Sequence, residues 1–180
     1  STCLKHLIEA IGITRFEIEA ALSTGLPSSP MHNAELQVRG GNFVTAMPCG
    51  VVDGVDLQHT GKVRRVDTHG IDEVLFNGSI ALISPLGYSV TGEVFNLTYT
   101  EIATRIAIEL GADKLIAFTK ENGVLNDKGE LQKQLTLLQC EKLLLKKDTT
   151  DSHFSLKACY KACDQGVNRA QIVSYTDDGA

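Results

Sequence analysis

The sequence predicts an α/β domain: a mainly parallel sheet with helices on both faces, a three-layer α/β/α sandwich. Two observations carry that expectation. Three apolar runs of strand length, 79–84, 114–119 and 170–175, are continuous rather than alternating, the pattern of strands covered on both faces. Helical patterns fall between these runs, so strands and helices alternate along the chain. In such sheets ligands bind beyond the carboxyl ends of strands, which singles out 84–97, 119–123 and the stretch after Ser174.

Taken in order, residues 4–11 and 14–22 place apolar side chains at helical spacing, with Gly12 read as a break. Thr14 and Glu17 have the spacing of a capping box for the second helix. The run 25–30, rich in Gly, Pro and Ser, ends it in a loop. From Val38 to Val66 the texture changes to short β segments, of which 42–46 and 61–66 are the strongest. Alternation puts Lys62 and Arg64 on one face and Arg65 on the other. Asp53-Gly54 signals a hairpin turn, and residues 70–76 a short helix.

After the first apolar run, 84–97 reads as a long loop that delivers Asn96 to a helix. Thr98 fits that helix's N-cap and Glu101 its N3 position, with Ile102, Ile106 and Leu110 repeating every four residues and Gly111 as the stop. Beyond the second run, Asp127-Lys128-Gly129 turns a small hairpin. The class of 137–145 stays open between helix and strand, and 154–163 reads as a helix before the third run.

Composition excludes several functions. A 43% hydrophobic and 22% charged chain of 180 residues is an ordinary globule rather than a disordered tail. A formal charge of −5 favours neither nucleic acid nor anionic membrane as a partner. No apolar run reaches the roughly 20 residues of a membrane span, and the first residues, with His6 and Glu9, do not form a signal peptide. Five cysteines without a Cys-x-x-Cys motif make no disulfide framework, so the cytoplasm is the expected compartment. Cys159 and Cys163, four apart, read as small buried hydrophobes. The five histidines have no ligand spacing, and Asp53, Asp56 and His59 read as turn residues, so no metal is expected.

The most informative local feature is Asn96 before a capped helix. A helix N-terminus has unpaired N–H groups and a partial positive charge, so it can hold a carboxylate or a phosphate. Asn96 would add an amide donor there; the plain alternative is that it orders the turn.

Asn96-Leu97-Thr98, the helix 101–110, Ala112-Asp113-Lys114-Leu115-Ile116 and Gly123-Val124-Leu125 resemble the amino-acid kinase (carbamate kinase-like) family. The runs 41–46, 50–56, 59–67 and 84–98 are more similar to the kinase-like domain of the bacterial N-acetylglutamate synthases, which belongs to that family. The likeness is most specific from Gly41 to Gly123 and returns over 166–180. It implies an amino-acid kinase fold incomplete at both ends, so that 1–180 would be part of one kinase-like domain. The first strand with its glycine-rich loop would be missing, and so would the acetyltransferase domain that carries acetyl-CoA.

By the same resemblance, Asn96 and Thr98 match the place where acetylglutamate kinases hold the amino-acid substrate. Three further positions depart from the kinases. Thr100 stands where they have an Asp that organises lysines, Lys120 replaces an Asp of the nucleotide site, and Phe154 falls near a catalytic Lys, with Lys157 the nearest lysine. A hydroxyl cannot hold two ammonium groups as a carboxylate does. Phosphoryl transfer is mostly positioning and charge stabilisation, so these losses argue against kinase activity and MgATP is not expected. The resemblance implies a regulatory, oligomeric module that binds L-arginine or N-acetylglutamate and carries no cofactor of its own. Gln171, Ser174, Tyr175 and Gly179 are the candidate arginine positions, against the plainer reading of an ordinary strand end. An acetylglutamate kinase using MgATP, or an inactive remnant, are the alternatives.

Overall fold

The computed structural model describes residues 2–23, 36–126, 129–146 and 148–176. The chain divides into two units, Ser1–Tyr99 and Thr100–Ala180.

The first unit opens with α1 (Thr2–Ser23), a single helix of 22 residues with no fully buried side chain. The expected break at Gly12 and cap at Thr14 are not there; both residues lie inside the helix. An interior glycine costs about 1 kcal/mol relative to alanine, and the flanking turns outweigh that, helped by Arg15 Nε donating to Glu19 Oε1 at 2.7 Å across one turn. The loop expected over 25–30 lies outside the described residues.

Short strands follow: β1 (Val38–Arg39), β2 (Val44–Pro48), β3 (Val51–Val52), β4 (Val55–Asp56) and β5 (Gly61–Val66). Then come α2 (Thr68–Phe76), β6 (Ile80–Ala81), β7 (Leu86–Tyr88) and β8 (Val94–Asn96). Four strands form a mixed sheet in the order β5-β2-β7-β8. β2 runs antiparallel to β5 and parallel to β7, and β7 runs antiparallel to β8. β1 and β6 pair in parallel. β3 and β4 make the expected hairpin, with Asp53 and Gly54 at φ 51° and 80°. Two consecutive positive φ angles are what a twist-matched two-residue turn requires, and Asp-Gly supplies them cheaply.

Three expectations need correction here. Only Ile80 and Ala81 of the apolar run 79–84 are in a strand, and both are half-buried. The stretch 84–97 is not a loop but the β7/β8 hairpin. Its turn is held by the Ser89 hydroxyl, which accepts from the peptide N–H groups of Thr91 and Glu93, and by Gly92 at φ 86°. Arg65 does not face away from Lys62: the register shifts between Thr45 and Ala46, leaving Arg64 as an extra residue opposite that step, and all three basic side chains are exposed.

The core of this unit gathers Val44, Ala46, Val63, Val66, Ile71, Phe95 and Leu97. Gly87 is there because the layers touch: a Cβ at that position would lie 2.7 Å from Ala46 Cβ and 2.7 Å from Leu97 Cδ1. Asp67 caps α2, its carboxylate accepting from the Gly70 N–H at 3.2 Å.

The second unit comprises α3 (Tyr99–Glu109), β9 (Lys114–Thr119), α4 (Leu137–Leu144), α5 (Asp151–Asp164) and β10 (Arg169–Ser174). α3 begins directly after Thr98, as its pattern predicts, and Gly111 beyond its end takes φ 61°. β9 and β10 pair in parallel over six residues, from Lys114↔Arg169 to Thr119↔Ser174. Leu125 is bridged to Leu131, beside the small hairpin expected there, whose turn residues 127 and 128 lie outside the described residues. The open segment 137–145 is helical, and Thr136 with Gln139 closes a full capping box at its start.

β9 is not covered on both faces among the described residues. Leu115 and Thr119 are buried, whereas Ile116 and Phe118 are 45% and 60% exposed. The covered face packs against α5 and α3 through Ala107, Leu115, Cys159, Ala162 and Val167. Parallel pairs and intervening helices together give a mixed α/β fold.

Candidate functional site

Three element ends meet in the second unit: the carboxyl ends of β9 and β10 and the first turn of α5. Parallel pairing brings the two strand ends side by side, and the crossover through α4 and α5 returns the start of α5 to them.

Thr119, fully buried, ends β9 and donates its hydroxyl to the Glu121 carbonyl at 2.9 Å. The Tyr175 N–H donates to the Thr119 carbonyl at 3.0 Å, which continues the ladder past the end of β10. Ser174 is buried; its hydroxyl lies 2.8 Å from Thr176 Oγ1 and 3.5 Å from the Lys120 carbonyl. Thr176 Oγ1 also donates to that carbonyl at 3.3 Å. The Lys120 backbone is thus tied to β10 while its side chain is exposed.

α5 starts with Thr150 as its cap, the side chain accepting from the His153 N–H. Ser152 in the first turn donates its hydroxyl to Glu121 Oε2 at 3.0 Å. Glu121's own peptide N–H, then the Ser152 hydroxyl and the peptide N–H groups of Ser152 and Asp151, hold its carboxyl below the usual value against an opposing desolvation. Asp148 is lowered as well, by the Thr150 N–H and then the Thr150 hydroxyl. Both carboxylates therefore bind their partners in the ionised form.

That fixes the sign of a pH effect. A carboxyl whose pKa is lower folded than unfolded stabilises the fold above its unfolded value and loses that contribution as pH falls through the folded one. The contribution of these two groups to thermal melting is expected to be flat from neutral pH down to the ordinary carboxyl values of 4.5 for Glu121 and 3.8 for Asp148, and to decline below them. In Glu121→Gln the decline should be shallower; an identical acid limb in both proteins would rule out this assignment.

The candidates from the sequence separate into groups. Asn96 and Thr98 belong to the first unit. Asn96 ends β8, pairs with Leu86, and its N–H donates to the His59 carbonyl at 2.8 Å; Thr98 is exposed. Thr100, Lys120, Phe154, Gln171, Ser174 and Tyr175 belong to the second. Thr100 is half-buried in the first turn of α3, where its carbonyl accepts from Thr104 Oγ1 at 2.7 Å. Lys120 and Phe154 flank the junction, with Phe154 about half exposed beside the His153 ring.

Ser174 and Tyr175 lie at the end of β10, but Tyr175 is largely exposed and the Ser174 hydroxyl is engaged with its neighbours. Gln171 is mid-strand, opposite Ile116, and lines a separate concavity of about 810 Å³. Gly179 lies outside the described residues. Sequence reasoning missed Glu121 and Ser152, 31 positions apart, because only the folded crossover joins them.

The 810 Å³ concavity also meets Cys140, Cys159 and Cys163. Burial, then the neighbouring Cys163 and Cys140, pushes the Cys159 thiol up to about 12, so it stays protonated and unreactive. Cys140 is buried and raised too, chiefly by desolvation. Cys163 is half-buried rather than buried as expected. Among the described residues no group of three His, Cys, Asp or Glu could hold a metal, and no helix is long and apolar enough to cross a membrane.

Comparison with known proteins gives consistent matches. Residues 9–174 match the model of the amino acid kinase family. An amino-acid acetyltransferase of Ectopseudomonas mendocina is 49% identical over 177 residues, covering 98% of this chain and 41% of that protein. The chain thus spans about two fifths of such relatives. Two crystal structures of N-acetylglutamate synthase from Neisseria gonorrhoeae superpose on 99% of this chain at 30% identity. One, with coenzyme A and L-arginine, gives a TM-score of 0.91 and is covered to 42%. The other, with coenzyme A and N-acetyl-glutamate, gives 0.87 and is covered to 40%.

Proposed function

The chain belongs to the amino acid kinase family, and from that premise we propose that it is the kinase-like regulatory module of an N-acetylglutamate synthase. In this reading it binds L-arginine or N-acetylglutamate and transfers no phosphoryl group. Acetyl transfer from acetyl-CoA to L-glutamate would reside in the part of the relatives that this chain does not span, and arginine bound here would govern it. The module would work in the cytoplasm as a homo-oligomer.

The observation that carries this reading is the likeness, over 99% of the chain, to an N-acetylglutamate synthase described with L-arginine. Three positions support the catalytic silence. Thr100 offers a hydroxyl where a carboxylate would organise lysines. Lys120 presents an ammonium where a nucleotide-bound metal would need an acid, and Phe154 has no charge for a phosphate. Gln171, with Ser174, Tyr175 and Gly179, remain the residues proposed for arginine, and Asn96 with Thr98 those proposed for an acylamino acid. No cofactor is assigned to this segment.

The test is calorimetric titration of the folded chain with L-arginine, N-acetylglutamate and MgATP. Saturable heat with arginine and none with MgATP is the expected result. MgATP binding that strengthens with N-acetylglutamate would replace this reading with the kinase. Silence to all three from a chain with native circular dichroism would leave an inert remnant or a segment that binds only together with the rest of its protein.

A further inference from the structure

Opposite charges share a concavity in the first unit and do not meet across it. The concavity, of about 750 Å³, is lined by Arg39 of β1, by Phe43 just ahead of β2, and by residues of α2 that include Asp72 and Glu73. Its size falls within the roughly 300–1,000 Å³ of small-molecule sites. The three charged residues are exposed. Arg39 Nη2 donates to Gln37 Oε1 at 3.1 Å, and Glu73 Oε1 lies 3.5 Å from His69 Nε2. Among the described residues no ion pair joins Arg39 to either carboxylate, and none engages Asp72.

The apolar part of the concavity is built into the fold. Two glycines make room for the Phe43 ring: a Cβ at Gly41 would lie 3.0 Å from Phe43 Cζ, and one at Gly70 would lie 3.3 Å from Phe43 Cε1. The Phe43 carbonyl accepts from the Asp67 N–H at 2.8 Å, which ties this residue to the cap of α2. The Arg39 backbone is fixed as well, paired with Ala81 and accepting from the Leu82 N–H at 2.9 Å. Phe76 also lines the concavity and is 93% exposed, so its ring gains from any apolar group laid beside it.

We propose that this concavity is a small-molecule site for a linear carboxylate with a cation at its far end, the chemistry of an ω-amino acid. The Arg39 guanidinium takes the carboxylate, which its planar fork matches. Asp72 and Glu73 take the cation, and the methylene chain lies along Phe43 and Phe76. A compact zwitterion, with both charges on one carbon, satisfies one wall and leaves the other bare. The site shares no residue with those proposed for arginine or an acylamino acid, so it stands or falls apart from that reading.

The experiment is titration of the 15N-labelled 180-residue chain with ε-aminocaproate at neutral pH and low salt, where exposed charges are least screened. The amides of Phe43, Gly70 and Asp72 are observed, and saturable shifts are expected there. Caproate lacks the cation and hexylamine lacks the carboxylate. Each should bind at least about tenfold more weakly, because each forfeits a charge-assisted contact. Arg39→Gln should weaken ε-aminocaproate by a similar factor and leave hexylamine unchanged. Asp72→Asn combined with Glu73→Gln should also weaken it and leave caproate unchanged. These are surface substitutions, which leave the fold intact. No saturable shift at these amides, equal binding of the three probes, or variants that bind as the native chain does would each overturn the proposal.

Discussion

Ile71→Ala is expected to cost about 2–5 kcal/mol, the range for an aliphatic side chain deleted from a packed core. Ile71 is 1% exposed, one of the largest fully buried side chains among the described residues. It lies on α2 one turn before Val74, also buried. For a chain of this length a loss of about 3 kcal/mol lowers the melting temperature by roughly 6–12 °C. Phe76 ends the same helix at 93% exposure, and Phe76→Ala should stay within about 0.5 kcal/mol although it removes more atoms. Thermal melts of the two proteins check the contrast, and equal losses would contradict the burial described here.

Leu156→Ala should cost nearer the low end of the same range, about 2–3 kcal/mol. Leu156 is 4% exposed on α5, yet it borders the 810 Å³ concavity. A wall that already faces open space can relax inward, which recovers part of the cavity penalty. The change also acts locally. Leu156 lies one turn beyond Ser152, so loosening it unseats the turn that holds Glu121. Denaturant melts give the stability change. Amide exchange at Ser152 and His153 should quicken by more than the global loss explains; unchanged exchange there would separate Leu156 from the junction.

The class of the fold was legible because it depends on long patterns. The repeat of Ile102, Ile106 and Leu110, the stop at Gly111 and the strand 114–119 all recur in the structure. Misreadings came where one residue was asked to decide. Gly12 punctuates a turn in many contexts, but within 22 helical residues its cost is outvoted. The segment 84–97 looked like a loop because its two strands have three residues each, too few for periodicity to register. The helix at 137–144 did carry its signal: Thr136 and Gln139 stand at capping-box spacing just ahead of an apolar run.

The site divides in the same way. Asn96 was singled out by the capped helix it precedes, and Lys120 and Ser174 by the resemblance to the amino-acid kinases; in the structure Asn96 and Ser174 each end a strand and Lys120 follows one. Glu121 and Ser152 were not singled out, because no spacing along a sequence encodes a contact made across a crossover. The opposite limit appears at Arg64. Its bulge shifts every side chain after it to the other face, and alternation alone cannot foresee an inserted residue.

The pairing of β9 with β10 also sets a timetable for synthesis. Each residue of β9 waits for a partner 55 positions further along, as Lys114 does for Arg169. On the ribosome, Ile116 and Phe118 therefore emerge long before the strand that will lie beside them. Closing so long a loop has an entropy cost that only the finished contacts offset. During that interval β9 is a bare apolar edge, the kind that recruits other strands. Lys114 at its start and Lys120 just past its end put charge at both ends of the exposed segment and discourage such mispairing until β10 arrives.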